Sequence, residues 1–174
     1  MFRMMVSGLL VGVVASTACS ADDEDGEVWQ SDVTKLVISS SGGFEAVTEP
    51  TEECPHSGTE YTLTFASKKL DAWRCRANDG GELEKQTVSV TLTQAELDAL
   101  QPKLAALQLD DDGRCQGADK PSVSLALTTP SGTTAYRDGF YACEADPRLA
   151  IEYQTLDALY GAIDTLAFPP LVGG

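Results

Sequence analysis

Apolar side chains recur along residues 35–166 with two periods, and each period marks a kind of element. A period of two predicts half-buried strands. Lys35-Leu36-Val37-Ile38-Ser39 is β-branched and apolar, and Gly42-Gly43 closes it with a turn. Tyr61-Thr62-Leu63-Thr64-Phe65 alternates cleanly, Ser67-Lys68-Lys69 turns the chain, and residues 70–77 return with Trp73 and Cys75. Asn78-Asp79-Gly80-Gly81 is a strong turn signal before a strand over 87–92. Residues 122–128 alternate through Val123, Leu125 and Leu127, and Pro130-Ser131-Gly132 turns them into a strand over 133–136. Asp138-Gly139 punctuates, with 140–143 continuing the pairing, while 45–58 and 110–121 read as acidic loops.

A period of three to four predicts two helices. Thr93-Gln94-Ala95-Glu96 has the form of a capping box, with Thr93 as N-cap and Glu96 reaching back, so a helix runs to about Leu107. Its stripe is Leu97, Leu100, Leu104 and Leu107; a second helix over 153–166 carries Leu156, Leu159, Ile163 and Leu166, and Pro169-Pro170 stops it. Both stripes read as core. Each helix opens its stripe with Leu-Asp-Ala-Leu, at 97–100 and 156–159, and each follows a hairpin bracketed by cysteines; two readings stay open, two related hairpin–helix halves or, first, the spacing that any amphipathic helix shows. The fold class is α+β: an antiparallel sheet of about five to six strands with two amphipathic helices packed on one face.

The first residues carry an address. Arg3 precedes an apolar run over 4–15, too short for the about 20 apolar residues of a membrane span, and small residues lead to Cys19. Ser16-Thr17-Ala18-Cys19 resembles a bacterial lipobox, in which the chain is cut before the cysteine and the thiol is acylated, although Ser16 stands where leucine is usual. The rival reading is an ordinary cleaved signal peptide ending near Ala18 or Ala21. Residues 20–31 carry five acids in their first eight positions and no base, the composition of a solvated tether. The expected organisation is a lipoprotein signal at 1–18, a flexible tether at 19–32, one α+β domain at 33–168 and a tail at 169–174. Ser20 replaces the aspartate that retains enterobacterial lipoproteins in the inner membrane, and that resemblance favours the outer membrane.

Charge and cysteines narrow the chemistry. The chain has 174 residues, 12 Lys plus Arg against 27 Asp plus Glu, and a net charge of −15. Neutralising phosphate needs clustered cations, so nucleic acid is excluded as a partner, and the membrane is reached through the lipid alone. Apart from Cys19, four cysteines in an exported chain imply two disulfides with three pairings. Cys54–Cys75 and Cys115–Cys143 are expected, because each would clip a local hairpin. No Cys-x-x-Cys spacing supports zinc, and no cofactor is implied. Asp22, Asp23 and Glu24 lack the ligand spacing of a calcium loop, and Asp110-Asp111-Asp112-Gly113, one short loop with few ligands, reads as solvated ahead of a weak calcium site.

His56 is the single histidine; it sits in an acidic loop beside Cys54, and no Gly-x-Ser-x-Gly accompanies it. No phosphate-cradling glycine motif occurs. Carboxylate pairs leave a glycosidase-like hydrolase open, but Trp29 and Trp73 fall in the tether and a strand rather than an evident cleft. The chain is expected not to be an enzyme.

Ser41-Gly42-Gly43-Phe44 at a strand end, the helix start Leu92-Thr93-Gln94-Ala95-Glu96-Leu97-Asp98-Ala99-Leu100, and Leu125, Leu127, Tyr136 and Asp138 in a later hairpin resemble the emfourin-like family over about 33–166. Emfourin-type proteins are small α+β inhibitors of thermolysin-like metalloproteases. The resemblance implies a binding module whose partner is an extracytoplasmic metalloprotease. The long insert at 45–58 departs from the family, so no inhibitory residue is carried over. The competing expectations are a structural envelope lipoprotein and, last, a carboxylate-based hydrolase.

Overall fold

The computed structural model describes residues 28–41, 51–54, 58–78, 80–110, 122–139 and 149–170. Its elements in chain order are β1 (Lys35–Ser41), β2 (Gly58–Thr64), β3 (Lys69–Ala77), β4 (Leu83–Thr91), α1 (Gln94–Ala105), β5 (Ser122–Thr129), β6 (Gly132–Asp138), β7 (Ala150–Ile151) and α2 (Tyr153–Ala167). They form one sheet of seven strands in the order β4-β3-β2-β1-β5-β6-β7. The α+β class stands, and the count of five to six strands is corrected to seven among the described residues; the continuation expected at 140–143 lies outside them.

The expectation of a purely antiparallel sheet is also corrected. β7 runs parallel to β6, pairing Arg137 with Ala150 and Asp138 with Ile151. A parallel neighbour needs a crossover rather than a tight turn, and the chain leaves β6 at Asp138 and re-enters only at Ala150. β7 is held from its other side as well: Leu109 bridges Ile151, Asp110 N donates to Ala150 O, and Glu152 N donates to Gln108 O.

Alternation on the strands sets the layers. Leu36 and Ile38, Tyr61 and Leu63, Leu70 and Ala72, and Val123, Leu125 and Leu127 are buried on one face. Leu97, Leu100, Leu104 and Leu107 and then Leu156, Leu159 and Ile163 close over that face in the same cluster. α2 packs on α1 and across β2, β3 and β4. The capping box is formed: Glu96 N donates to Thr93 Oγ1 at 3.3 Å, and Thr93 N donates to Glu96 Oε2 at 2.7 Å. That amide holds the Glu96 carboxyl below its ordinary range. In α2 the core position expected of Leu166 is taken by Ala167; Leu166 is only half-buried. A 3, 4, 3 stripe drifts around a 3.6-residue helix, and the continued spacing of 4 from Ile163 reaches Ala167.

Part of the expected tether belongs to the domain. Val28 and Val33 are buried in the core, and the Trp29 ring lies 5.4 Å from Phe65. Apolar side chains bury despite the acids before them, and Val28 and Trp29, expected in the tether, pack with the domain's core. The remaining tether, the signal segment, Cys19 and residues 171–174 lie outside the described residues.

The two cysteine-bracketed hairpins are not copies of each other. β2–β3 and β5–β6 leave β1 in opposite lateral directions, both beginning antiparallel to β1, with the helices on one face. That relation is a reflection, and repeats of an L-amino-acid chain superpose by rotation only. The shared Leu-Asp-Ala-Leu is what two amphipathic helices need to face one core.

Candidate functional site: the uncovered face of the sheet

Seven strands present two faces, and the helices cover one. The other, the open face, is built largely from short polar side chains at the alternate strand positions: Ser39, Thr62, Thr87, Ser89, Ser124 and Thr128 are representative. Antiparallel sheets commonly keep one solvated face of this kind. Its cations are Lys35, Lys69, Lys85 and Arg137, against Glu60 and Asp71. These are the charges of the described strand residues; Glu52 and Glu53 are exposed on the loop that the Cys54–Cys75 disulfide ties to the same side of β3.

Trp73 is the large side chain on this face. Register places Glu60 directly opposite it on β2 and Thr87 opposite it on β4. Lys85 and Ser89 are its diagonal neighbours, and Lys85 Nζ lies 5.6 Å from the indole centroid. These residues, with Thr62 and Asp71, line a groove of about 410 Å³. That volume lies within the range of small-ligand sites. On the same face, next to Trp73 along β3, the Cys54–Cys75 disulfide is present, with Cα atoms 5.8 Å apart. Cys54, Cys75 and Leu83 form a small separate core against which Trp73 packs. The disulfide thus anchors the loop before β2 and braces the indole.

The groove holds two carboxylates, Glu60 and Asp71, on diagonal positions of adjacent strands, a relation that sets residues about 7–8 Å apart with their Cβ atoms somewhat closer. Glycoside hydrolysis needs one carboxyl raised to act as a proton donor. Asp71 is shifted the other way: bonds from Lys69, at 2.8 Å, and from Ser89 hold it below the usual carboxylate range. Asp71, so held, suits binding of hydroxyl or cationic groups better than proton donation.

A second polar cluster lies under α2. Tyr61 Oη donates to Asp164 Oδ1 at 2.6 Å, and Thr59 and Tyr160 hydroxyls bond at 2.7 Å. Arg74 lies 3.8 Å from Asp164, stacks 3.9 Å over Phe168 and donates from Nε to Gln86 at 2.8 Å. Burial first, then the bond to Asp164, pushes the Tyr61 hydroxyl far above its ordinary value, so it stays protonated as a donor. This network locks the end of α2 to β2 and β3. No sequence signal announced it, because Tyr61 and Asp164 are 103 positions apart.

Cys19, His56, Cys115 and Cys143 lie outside the described residues. Among the described residues no group of three or more His, Cys, Asp or Glu is placed to hold a metal ion, and no helix is long and apolar enough to cross a membrane. No protein-family model and no curated protein matches the chain.

Proposed function

We propose that this protein is a binding module of the bacterial cell envelope, tethered by a lipid on Cys19, with the open face of its sheet as the recognition surface. The observation that carries the reading is the Trp73 groove: an indole on a rigid sheet, braced by the Cys54–Cys75 disulfide and ringed by Glu60, Lys85 and Thr87. A braced aromatic with mixed-charge neighbours makes a contact point that loses little conformational freedom on binding. The emfourin resemblance supplies the class of partner, an extracytoplasmic thermolysin-like metalloprotease, and the role of inhibitor. Outer-membrane attachment belongs to the same proposal.

Two experiments test it. The full chain at micromolar concentration is expected to inhibit thermolysin, and Trp73→Ala to weaken inhibition at least tenfold. Absence of inhibition removes the protease as partner; inhibition untouched by Trp73→Ala moves the surface elsewhere. Cys19→Ala is expected to shift the protein from the membrane fraction to the soluble one. Unchanged processing and membrane fractionation of that variant would defeat the lipid anchor.

A further inference from the structure

The two edges of the sheet are unequal. β7 is two residues long and held on its far side by Leu109, a short and blunted edge. β4 is nine residues long, and its pairing with β3 is continuous from Leu83 to Thr91 without a bulge. It contains no proline, and its only charged residues, Glu84 and Lys85, lie at one end. Thr87-Val88-Ser89-Val90-Thr91 is an uncharged, largely β-branched run, with Val88 and Val90 only half-buried. Among the described residues nothing pairs with the outer side of β4, and beyond Lys85 it carries neither the charge nor the proline that normally guards a natural edge.

The backbone polarity of β4 follows from its neighbours. Asn78 N donates to Glu82 O and Leu92 N donates to Lys68 O, and both pairs extend the β3–β4 register. Bonded and non-bonded pairs alternate along an antiparallel ladder. Glu84, Gln86, Val88 and Val90 therefore spend their N–H and C=O groups on β3. Lys85, Thr87 and Ser89 point theirs away from the sheet, as do the two end residues.

We propose that β4 pairs antiparallel with β4 of a second copy of this chain, about a two-fold axis through Thr87, making one continuous sheet from two. On that axis all nine residues find partners. Thr87 faces Thr87 of the copy and Lys85 faces Ser89, so every outward-pointing amide meets another. On the helix side Glu84 faces Val90 and Gln86 faces Val88, and no like charges oppose. The strip also suits self-association electrostatically. The whole chain carries −15, yet along the β3–β4 hairpin Lys69, Arg74, Arg76 and Lys85 balance Asp71, Asp79, Glu82 and Glu84. Lys85, Thr87 and Ser89 line the Trp73 groove, so the pairing sets two grooves side by side on one open face. The pairing does not depend on what those grooves bind.

The test uses the full chain in non-ionic detergent. Thr87→Cys is expected to give a covalent dimer with a short bis-maleimide, well above the wild-type background. Ser131→Cys, on the β5–β6 turn, is expected to stay at background. Adding Ser89→Pro to Thr87→Cys removes an outward amide that β3 does not use, a placement proline tolerates in an edge strand. It is expected to cut the dimer at least tenfold with an unchanged far-ultraviolet circular dichroism spectrum. Background-level crosslinking at Thr87→Cys, equal crosslinking at Ser131→Cys, or a dimer that survives Ser89→Pro would overturn the proposal. Sedimentation of the wild-type chain gives an answer independent of every variant: a monomer mass at tens of micromolar overturns it.

Discussion

Leu159→Ala and Leu100→Ala are each expected to lower the stability of the folded chain by about 2–5 kcal/mol. Leu159 is fully buried in α2 and Leu100 is 2% exposed in α1, and both face the same side of the sheet. Truncation removes the transfer free energy of the lost atoms and leaves a cavity whose size depends on how far the helix settles. Against a typical total of about 5–15 kcal/mol, either change removes a large share. Asp157→Ala and Asp98→Ala are the matched controls. Both aspartates are exposed, and Gln94 Nε2 donates to Asp98 Oδ1 at 2.9 Å on the helix surface. An i,i+4 surface pair contributes about 0.2–0.5 kcal/mol, so these variants are expected to stay within about 0.5 kcal/mol of wild type. Urea melts followed by circular dichroism read the difference. Aspartate variants losing as much as the leucine variants would mean that the helix faces are inverted.

Those leucines were legible because a helix writes its buried face locally, at three- and four-residue intervals. The strands β1, β2, β3 and β5 were legible for the same reason at a period of two. What the sequence concealed shares a different physical origin. β7 is two residues directly ahead of α2, so Ala150 and Ile151 offer no alternation to detect. The first half of β4, Leu83-Glu84-Lys85-Gln86, reads as polar because an edge strand is exposed on more than one side. Val28 and Trp29 bury within an acidic run, where composition points to a tether. The Trp73 groove was half visible. The indole was placed on a strand, but its exposure on the uncovered face depends on where both helices pack. Its neighbours Glu60, Lys85 and Thr87 come from strands paired across turns and loops. Tyr61, Arg74 and Asp164 meet only because α2 crosses β2 and β3. Local periodicity encodes which face of an element is buried; it does not encode what that face meets.

Replacing the Cys54–Cys75 pair by alanines is expected to cost about 3 kcal/mol in the chain-entropy view, because the bond closes a loop with a sequence separation of 21. The bond joins the loop before β2 to the open side of β3, where Cys75 lies opposite Lys85, and its sulfurs are buried with Leu83 against Trp73. The loss therefore has two parts that separate experimentally. Stability falls, read as a lower urea midpoint. The brace under the indole also goes, so Trp73 emission is expected to shift to longer wavelength in the still-folded variant. The Trp73→Phe chain, which leaves only Trp29 emitting, supplies the baseline for that shift. Val28, Trp29 and the helix-covered core belong to a different cluster and are expected to keep their packing, so the far-ultraviolet spectrum should not change. If the double variant keeps both its midpoint and its emission, the disulfide neither stabilises the fold nor supports the groove, and the recognition surface loses its rigid floor. If stability falls but emission is unmoved, Trp73 is held by Lys85 and its cross-strand neighbours Glu60 and Thr87 alone. Inhibition by the full chain should then survive reduction of this bond.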